Sequence, residues 1–220
     1  MNPNTNPWLD LSPVPPFVLA VDRAAIDSFN HQARPEVFIH LELLPEPFLG
    51  APMAPVVLLS LNPGYSPDDL QPHQDPTFQA LSRANLEHAP TQYPFVLLNP
   101  KVETPGRRWW ESKLARLIEA RGRETVARQV LCVEVFPYHS YRFAHAKLQV
   151  PSQAYSLQLV RNALRRNALV VVMRAERIWR QALPELADYP FLFRLRNPQN
   201  VVISERNCPE GFATILRALG

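Results

Sequence analysis

Cysteine, glycine and lysine are all scarce in this chain of 220 residues. Two cysteines, Cys132 and Cys208, cannot build a disulfide framework or a cysteine-rich zinc site. Six glycines supply no Gly-x-Gly-x-x-Gly, and none is followed by Lys-Ser or Lys-Thr. The common dinucleotide and phosphate-binding loops are therefore absent. No Gly-x-Ser-x-Gly elbow occurs, which argues against an ordinary α/β-hydrolase. The histidines, His31, His40, His73, His88, His139 and His145, show no His-x-x-x-His pair and no cluster with cysteine or carboxylate. No metal and no cofactor are expected. Apolar runs such as Val56–Leu59 fall far short of the roughly 20 residues that a membrane span needs. The opening Met-Asn-Pro-Asn-Thr-Asn-Pro has neither the charged nor the apolar part of a secretory signal. A cytoplasmic protein is the expectation, nucleoid-associated if bacterial.

What is present is unevenly placed. Residues 1–100 hold three Arg, no Lys and ten acidic residues, a net of −7. Residues 101–220 hold 17 Arg, three Lys and ten acidic residues, a net of +10. A cationic half rich in arginine suits a polyanion, because the guanidinium forks onto phosphate. Proline is skewed the other way, with 17 of 24 before residue 101. One domain over 1–220 is expected, with residues 1–20 as a proline-rich arm laid over it.

Hydrophobic patterning supplies the fold class. Val56–Leu61, Val130–Phe136 and Ala168–Met173 are continuous apolar runs, the pattern of strands buried on both faces of a parallel sheet. Helical periodicity or capping predicts helices over Asp22–Gln32 with Asp22 as N-cap, Asp75–Leu86, Glu111–Arg121, Ser152–Arg166 with Ser152 as N-cap, a stretch through Trp179 to Leu183, and Pro209–Leu219. Residues 41–55 read as loop. Phe191–Leu195 and Val201–Ile203 read as the last strand material. The alternation implies a three-layer α/β/α fold around a parallel sheet of about four strands.

In such sheets ligands bind beyond the carboxyl ends of the strands. Those ends are Asn62-Pro63-Gly64-Tyr65, Pro137-Tyr138-His139-Ser140, Arg174-Ala175-Glu176-Arg177 and Arg196-Asn197-Pro198-Gln199-Asn200. Asn62, His139 and Asn197 should therefore meet at one edge. Proline fixes φ and glycine allows close approach, so Asn62-Pro63-Gly64 is a turn suited to a ligand.

The order Asn62-Pro63-Gly64, then Tyr93-Pro94-Phe95, then Pro105-Gly106-Arg107-Arg108-Trp109-Trp110, then Leu195-Arg196-Asn197-Pro198 resembles the uracil-DNA glycosylase superfamily. The nearest branch is the mismatch-specific uracil/thymine glycosylases, and the resemblance covers roughly residues 55–219. It implies excision of a damaged or mismatched base from DNA, duplex or single-stranded. Asn62 would orient the attacking water and Asn197 would lie near the departing base and the strand phosphate; His139 is a further catalytic candidate from its place after a strand end. Pro63, Gly64, Tyr65 and Phe95 would hold the flipped base, Phe95 by stacking. Arg107, Arg108, Arg174 and Asn200 would contact DNA, with Val201 and Val202 where the family inserts a wedge. Trp109 and Trp110 read as core. Two other readings stay open: a nucleic-acid-binding member of that fold without catalysis, and an unrelated α/β enzyme for a small nucleotide ligand.

Overall fold

The computed structural model describes residues 2–220. In chain order the elements are α1 (Ala20–Gln32), β1 (Ile39–His40), β2 (Phe48–Leu49), β3 (Val56–Ser60), α2 (Leu70–Gln74), α3 (Pro76–Leu86), α4 (Pro105–Arg121) and α5 (Arg123–Gln129). There follow β4 (Val130–Glu134), β5 (His139–Ser140), α6 (Gln153–Arg165), β6 (Leu169–Val172), α7 (Glu176–Ala182), β7 (Leu192–Arg194) and α8 (Phe212–Ala218). The main sheet has the order β2-β4-β3-β6-β7. Its last four members are parallel, and β2 is an antiparallel edge strand. β1 and β5 form a separate two-stranded ribbon.

The apolar runs are continuous because both faces of the sheet are covered. Val57 and Leu59 of β3, Leu131 and Val133 of β4, and Val170 and Val172 of β6 share one core with Ile26 of α1, Val160 of α6 and Trp179 of α7. The alternate residues, Val56, Leu58, Val130, Cys132, Leu169 and Val171, share the other with Leu114 and Leu117 of α4, Val126 of α5 and Ile215 of α8. Each fully buried Val or Leu contributes roughly 1.5–3 kcal/mol, so these three strands anchor the three-layer fold. At Gly50 a close approach demands glycine. Its φ is +112°, and a Cβ there would lie 2.1 Å from the Val130 carbonyl oxygen of β4.

Helix boundaries follow capping chemistry where a cap exists. Asp75 Oδ1 accepts from Phe78 N–H at 2.9 Å and starts α3. Thr104 Oγ1 accepts from Arg107 N–H at 2.9 Å and starts α4, six residues ahead of the predicted Glu111.

Several expectations are corrected. Asp22 is not an N-cap; α1 begins at Ala20, and the buried Asp22 carboxylate accepts from the Tyr138 hydroxyl at 2.7 Å and from Ser152 N–H at 3.0 Å. Ser152 donates that backbone N–H but makes no side-chain cap. The 41–55 segment contains β2, since the Phe48–Leu49 backbone finds Cys132 and Val133 as ladder partners. Val201 and Ile203 are buried but not in a strand. The proline-rich arm is more than a covering: Trp8, Leu11 and Phe17 enter the core beside α1 and α6.

Candidate functional site

The chain leaves β3 toward β4 on one side and reaches β6 on the other. The crevice between the ends of β3 and β6 is thus the topological switch point, where open α/β sheets place ligands. A cavity of about 360 Å³ opens there, at the lower end of the range for ligand pockets. Asn62, Pro63, Gly64, Tyr65, His139 and Arg174 all line it, together with Glu46, Asp69, His73, Glu134 and Trp109.

The loop after β3 is knitted to β5. Ser140 N–H donates to Pro63 O at 3.3 Å, and a parallel bridge joins Gly64 to Ser140. Asn62 Nδ2 donates to Pro63 O at 2.8 Å and to Ser140 Oγ at 3.0 Å. These bonds fix the amide and leave Oδ1 without a partner among the described residues. A Cβ at Gly64 would meet nothing within 4 Å, so a side chain there would enter open space. Tyr65 stacks on His40 at 3.4 Å between ring centroids, which holds its ring on the rim.

Across the sheet, Ser60 of β3 pairs in register with Glu134 of β4. Glu134 is 4% exposed. Its Oε1 accepts from Cys132 Sγ at 3.8 Å, and its Oε2 has no hydrogen-bond partner among the described residues. Burial pushes its pKa up to about 7, against Ser60, Cys132 and Arg174, which pull it down. Glu46 is pushed further, to about 8, by burial and by the charges of Asp69 and Glu134. Burial likewise raises Asp69, whose Oδ2 accepts from Ser66 N–H at 2.7 Å. The three shifts share their leading cause, burial of a carboxyl group, opposed by Arg174 at Glu134 and by Arg108 at Asp69.

The two pocket histidines, His73 and His139, are neutral. Leu44 N–H donates to His73 Nδ1 at 3.2 Å, and burial drives His73 down to about 2. His139 presents Nδ1 to Gly64 O at 2.6 Å and Nε2 to Leu44 O at 2.9 Å. Burial outweighs those carbonyls and holds its pKa at about 4. Ligand atoms of Glu46, His73 and His139 lie within 4.8 Å of one another. Yet His73 has spent its lone pair on Leu44 N–H, and both nitrogens of His139 face carbonyl oxygens. A neutral His139 donates to one carbonyl and turns its remaining lone pair toward the other, so neither ring points a lone pair at a shared ion. His139 bridges the loops that carry Gly64 and Leu44.

Arg174 follows β6 and is aimed by its neighbour. Ala175 is left-handed, with φ 58° and ψ 34°. That conformation costs a non-glycine residue roughly 1–2 kcal/mol. The Arg174 guanidinium lies 5.8 Å from the Trp109 ring centroid, and its Nε has no partner.

The remaining sequence candidates lie elsewhere. Asn197, Asn200 and Val202 line a second, wider groove of about 920 Å³ with Arg116, Arg196 and Arg206. Asn197 Oδ1 accepts from Gln199 N–H at 3.0 Å and Asn200 N–H at 3.2 Å, so Asn197 caps its own turn. Asn62 and Asn197 sit at the same edge of the sheet but line different cavities. Phe95 is fully buried and packs edge-on against Trp110 at 5.0 Å, so it offers the pocket no face. Val201 is fully buried beneath the groove and presents no wedge. Arg107 is tied to Glu103, Glu111 and the Val102 carbonyl. It braces the start of α4. Arg108 is exposed. Trp109, read as core, is half-buried and lines the pocket, whereas Trp110 is buried as expected.

The two cavities adjoin. Trp109 lines the pocket; Lys113 Nζ lies 5.5 Å from its ring centroid and donates to Asn200 Oδ1, in the groove, at 3.4 Å. Compared with known proteins, the chain matches no family model, no curated sequence and no solved structure. The functional reading therefore rests on the geometry and on the sequence resemblance.

Sequence reasoning missed Glu46, Asp69, His73 and Glu134. Only Glu134 left a signal, as the one charge inside the run Val130–Phe136. The others reach the pocket through long-range packing of a proline-rich loop and a polar excursion.

Proposed function

We propose that this chain is a DNA glycosylase-like protein that takes a single extruded base into the switch-point pocket and hydrolyses its N-glycosidic bond. The observation that carries this reading is the pairing of a small pocket of about 360 Å³ with a neighbouring wider, arginine-bearing groove of about 920 Å³. A base lifted from its stack needs an enclosed site, while its strand needs a track of cations and amides. Arg196, Arg206, Lys113 and the Asn200 amide offer that track, and Arg108 extends the cationic surface.

In the pocket, Asn62 is the catalytic residue. Its Oδ1 is free to orient a water, and its Nδ2 bonds hold it still. The C1′–N bond breaks with its electron pair passing to the base. The water oxygen bonds to C1′, and its proton leaves to Glu134 or to solvent. A carboxyl poised near pH 7 is suited to exchanging that proton. His139 serves as a positioning residue by pinning the Gly64 carbonyl.

Duplexes and single strands, each with one altered base, test the reading by the appearance of abasic sites. Release from at least one substrate, lost in Asn62→Ala while DNA binding persists, is expected. No release from any of them, with DNA binding intact, would leave a binding protein in place of an enzyme.

A further inference from the structure

The composition of the pocket wall bears on which base enters it, given the glycosylase reading above. Glu46, Asp69 and Glu134 all line it, and Arg174 is their single cationic counterpart there. Glu134 is almost wholly buried, and Oε2 lacks any partner. Arg174 Nε is likewise unsatisfied. An orphaned buried carboxylate oxygen has a free-energy cost that a donor would relieve. The charged groups of the wall are thus three carboxyls and one guanidinium, an excess of acid that favours a cationic guest.

Uracil presents two carbonyl oxygens and a single N–H, a poor match to such a wall. A base with an exocyclic amino group presents donors, and alkylation at a ring nitrogen adds a positive charge. We propose that the pocket selects an amino-bearing base, with a cationic N-alkylated base as the preferred form, and discriminates against uracil-type bases. The carboxyl groups of Glu46 and Glu134 accept its N–H groups and oppose its charge, while Arg174 meets a carbonyl or ring nitrogen. The N-terminus of α4, at Thr104–Gly106, also borders the pocket. Its partial positive charge is about half a unit, smaller than the carboxyl excess. Cleavage of a cationic base needs no acid, because the departing electron pair neutralises the ring as the C1′–N bond breaks. Water supplies the oxygen to C1′, and its proton goes to a pocket carboxylate.

A cation also changes the protonation of the wall. Glu134 is faced by Ser60, Cys132, Arg174 and Glu46; Glu46 is faced by Asp69, Glu134 and the imidazoles of His73 and His139, and Asp69 in turn by Asp68 and Arg108. Free Glu134 and Glu46 hold protons up to about pH 7 and 8. A bound cation lowers both, so binding releases protons and tightens as pH rises.

The experiment uses 3-methylcytidine and 3-methyluridine, two nucleosides of one shape, the first cationic with a nitrogen where the second has a carbonyl. Calorimetric titration of the full chain from pH 6 to 8 should show 3-methylcytidine bound about tenfold or more tightly, with affinity rising and protons released as Glu134 and Glu46 ionise. Glu134→Gln should flatten the pH dependence, and Glu46→Gln should flatten the part nearer pH 8. Equal or tighter binding of 3-methyluridine, or affinity for 3-methylcytidine that does not vary with pH, overturns the proposal. Base release from duplexes carrying 3-methylcytosine, 3-methyladenine, 7-methylguanine or uracil separates it from the reading it rests on. Faster release of uracil than of the alkylated bases overturns the selectivity and keeps the glycosylase. Nucleoside preference as expected, with no base released, keeps the selectivity and removes the glycosylase.

Discussion

The pocket and the groove lie side by side at one end of the sheet and are built from opposite materials. The pocket draws Glu46, Asp69 and His73 from the acidic first hundred residues and adds Glu134. The groove is drawn wholly from the cationic remainder, between Arg116 and Phe212. In the pocket, charge is buried and its cost appears as displaced protonation. In the groove, Arg116, Arg196 and Arg206 are exposed to solvent. Surface cations act over a distance and weaken with salt, whereas buried carboxyls act on contact and respond to pH. The division implies two separable jobs: capture of a strand by the groove and discrimination of one residue by the pocket.

The largest expected effect lies in the pocket. Asn62→Ala should slow single-turnover base release by about 10²–10⁴ and leave DNA affinity within about twofold, because an oriented water matters mainly in the transition state. Parallel loss of affinity and rate would make Asn62 a binding or folding residue instead.

Next comes the groove. With about four phosphates neutralised, log K against log salt should slope at roughly −3 to −4 on duplex DNA. Arg196→Ala combined with Arg206→Ala should flatten that slope by about two units. Arg107→Ala should not alter it, because Arg107 is held by Glu111 and backbone carbonyls. It should instead lower stability by about 1–3 kcal/mol, the range for hydrogen bonds to a charged group. A reversal of these two outcomes in melting and salt titrations would relocate the strand track to the start of α4.

Stability against pH separates the regions further. Folded Glu46 and Glu134 titrate at about 8 and 7, above the unfolded 4.5. The folded protein therefore binds more protons there, and stability declines as pH rises through that window. His73 titrates at about 2 and His88, His139 and His145 at about 4, below the unfolded 6.5. Their burial as neutral rings stabilises fully above 6.5 and is lost as pH falls. Melting temperature should peak at about pH 6.5. Glu46→Gln with Glu134→Gln should raise the alkaline limb and leave the acid limb in place. An unchanged alkaline limb would show that these carboxyls are solvated.

The smallest effect concerns Ala175. Its left-handed backbone suits glycine, so Ala175→Gly should stabilise by about 1 kcal/mol in denaturant titration. A loss of stability would mean that the Ala175 methyl, packed on the core beside α7, outweighs the strain.

The parts legible from sequence share a cause. β3, β4 and β6 are short-range patterns with both faces buried, and α3 carries its own cap. Asn62 and His139 could be nominated because strand ends define the site edge. Phe95 and Val201 could not be placed, because an apolar residue beside a site has the same signature as one beneath it. Asp22 looked like a helix cap because only the fold reveals that Tyr138 and Ser152 claim its carboxylate. Glu46 sits between two prolines and reaches the site because Glu134 N–H donates to Pro47 O at 2.9 Å.

β3 occupies the middle of the sheet, hydrogen-bonded to β4 on one side and β6 on the other. During synthesis it emerges before either partner. Until residues 130–134 and 169–172 have left the ribosome, Val56–Leu59 has two open edges, and α6, α7 and α8 have not yet completed its cover. Long-range pairing of this kind is slow and exposes apolar strand to other nascent chains. Expression yield should therefore depend on chaperone capacity and on translation speed across α4 to β6, the stretch that must arrive before β3 is safe.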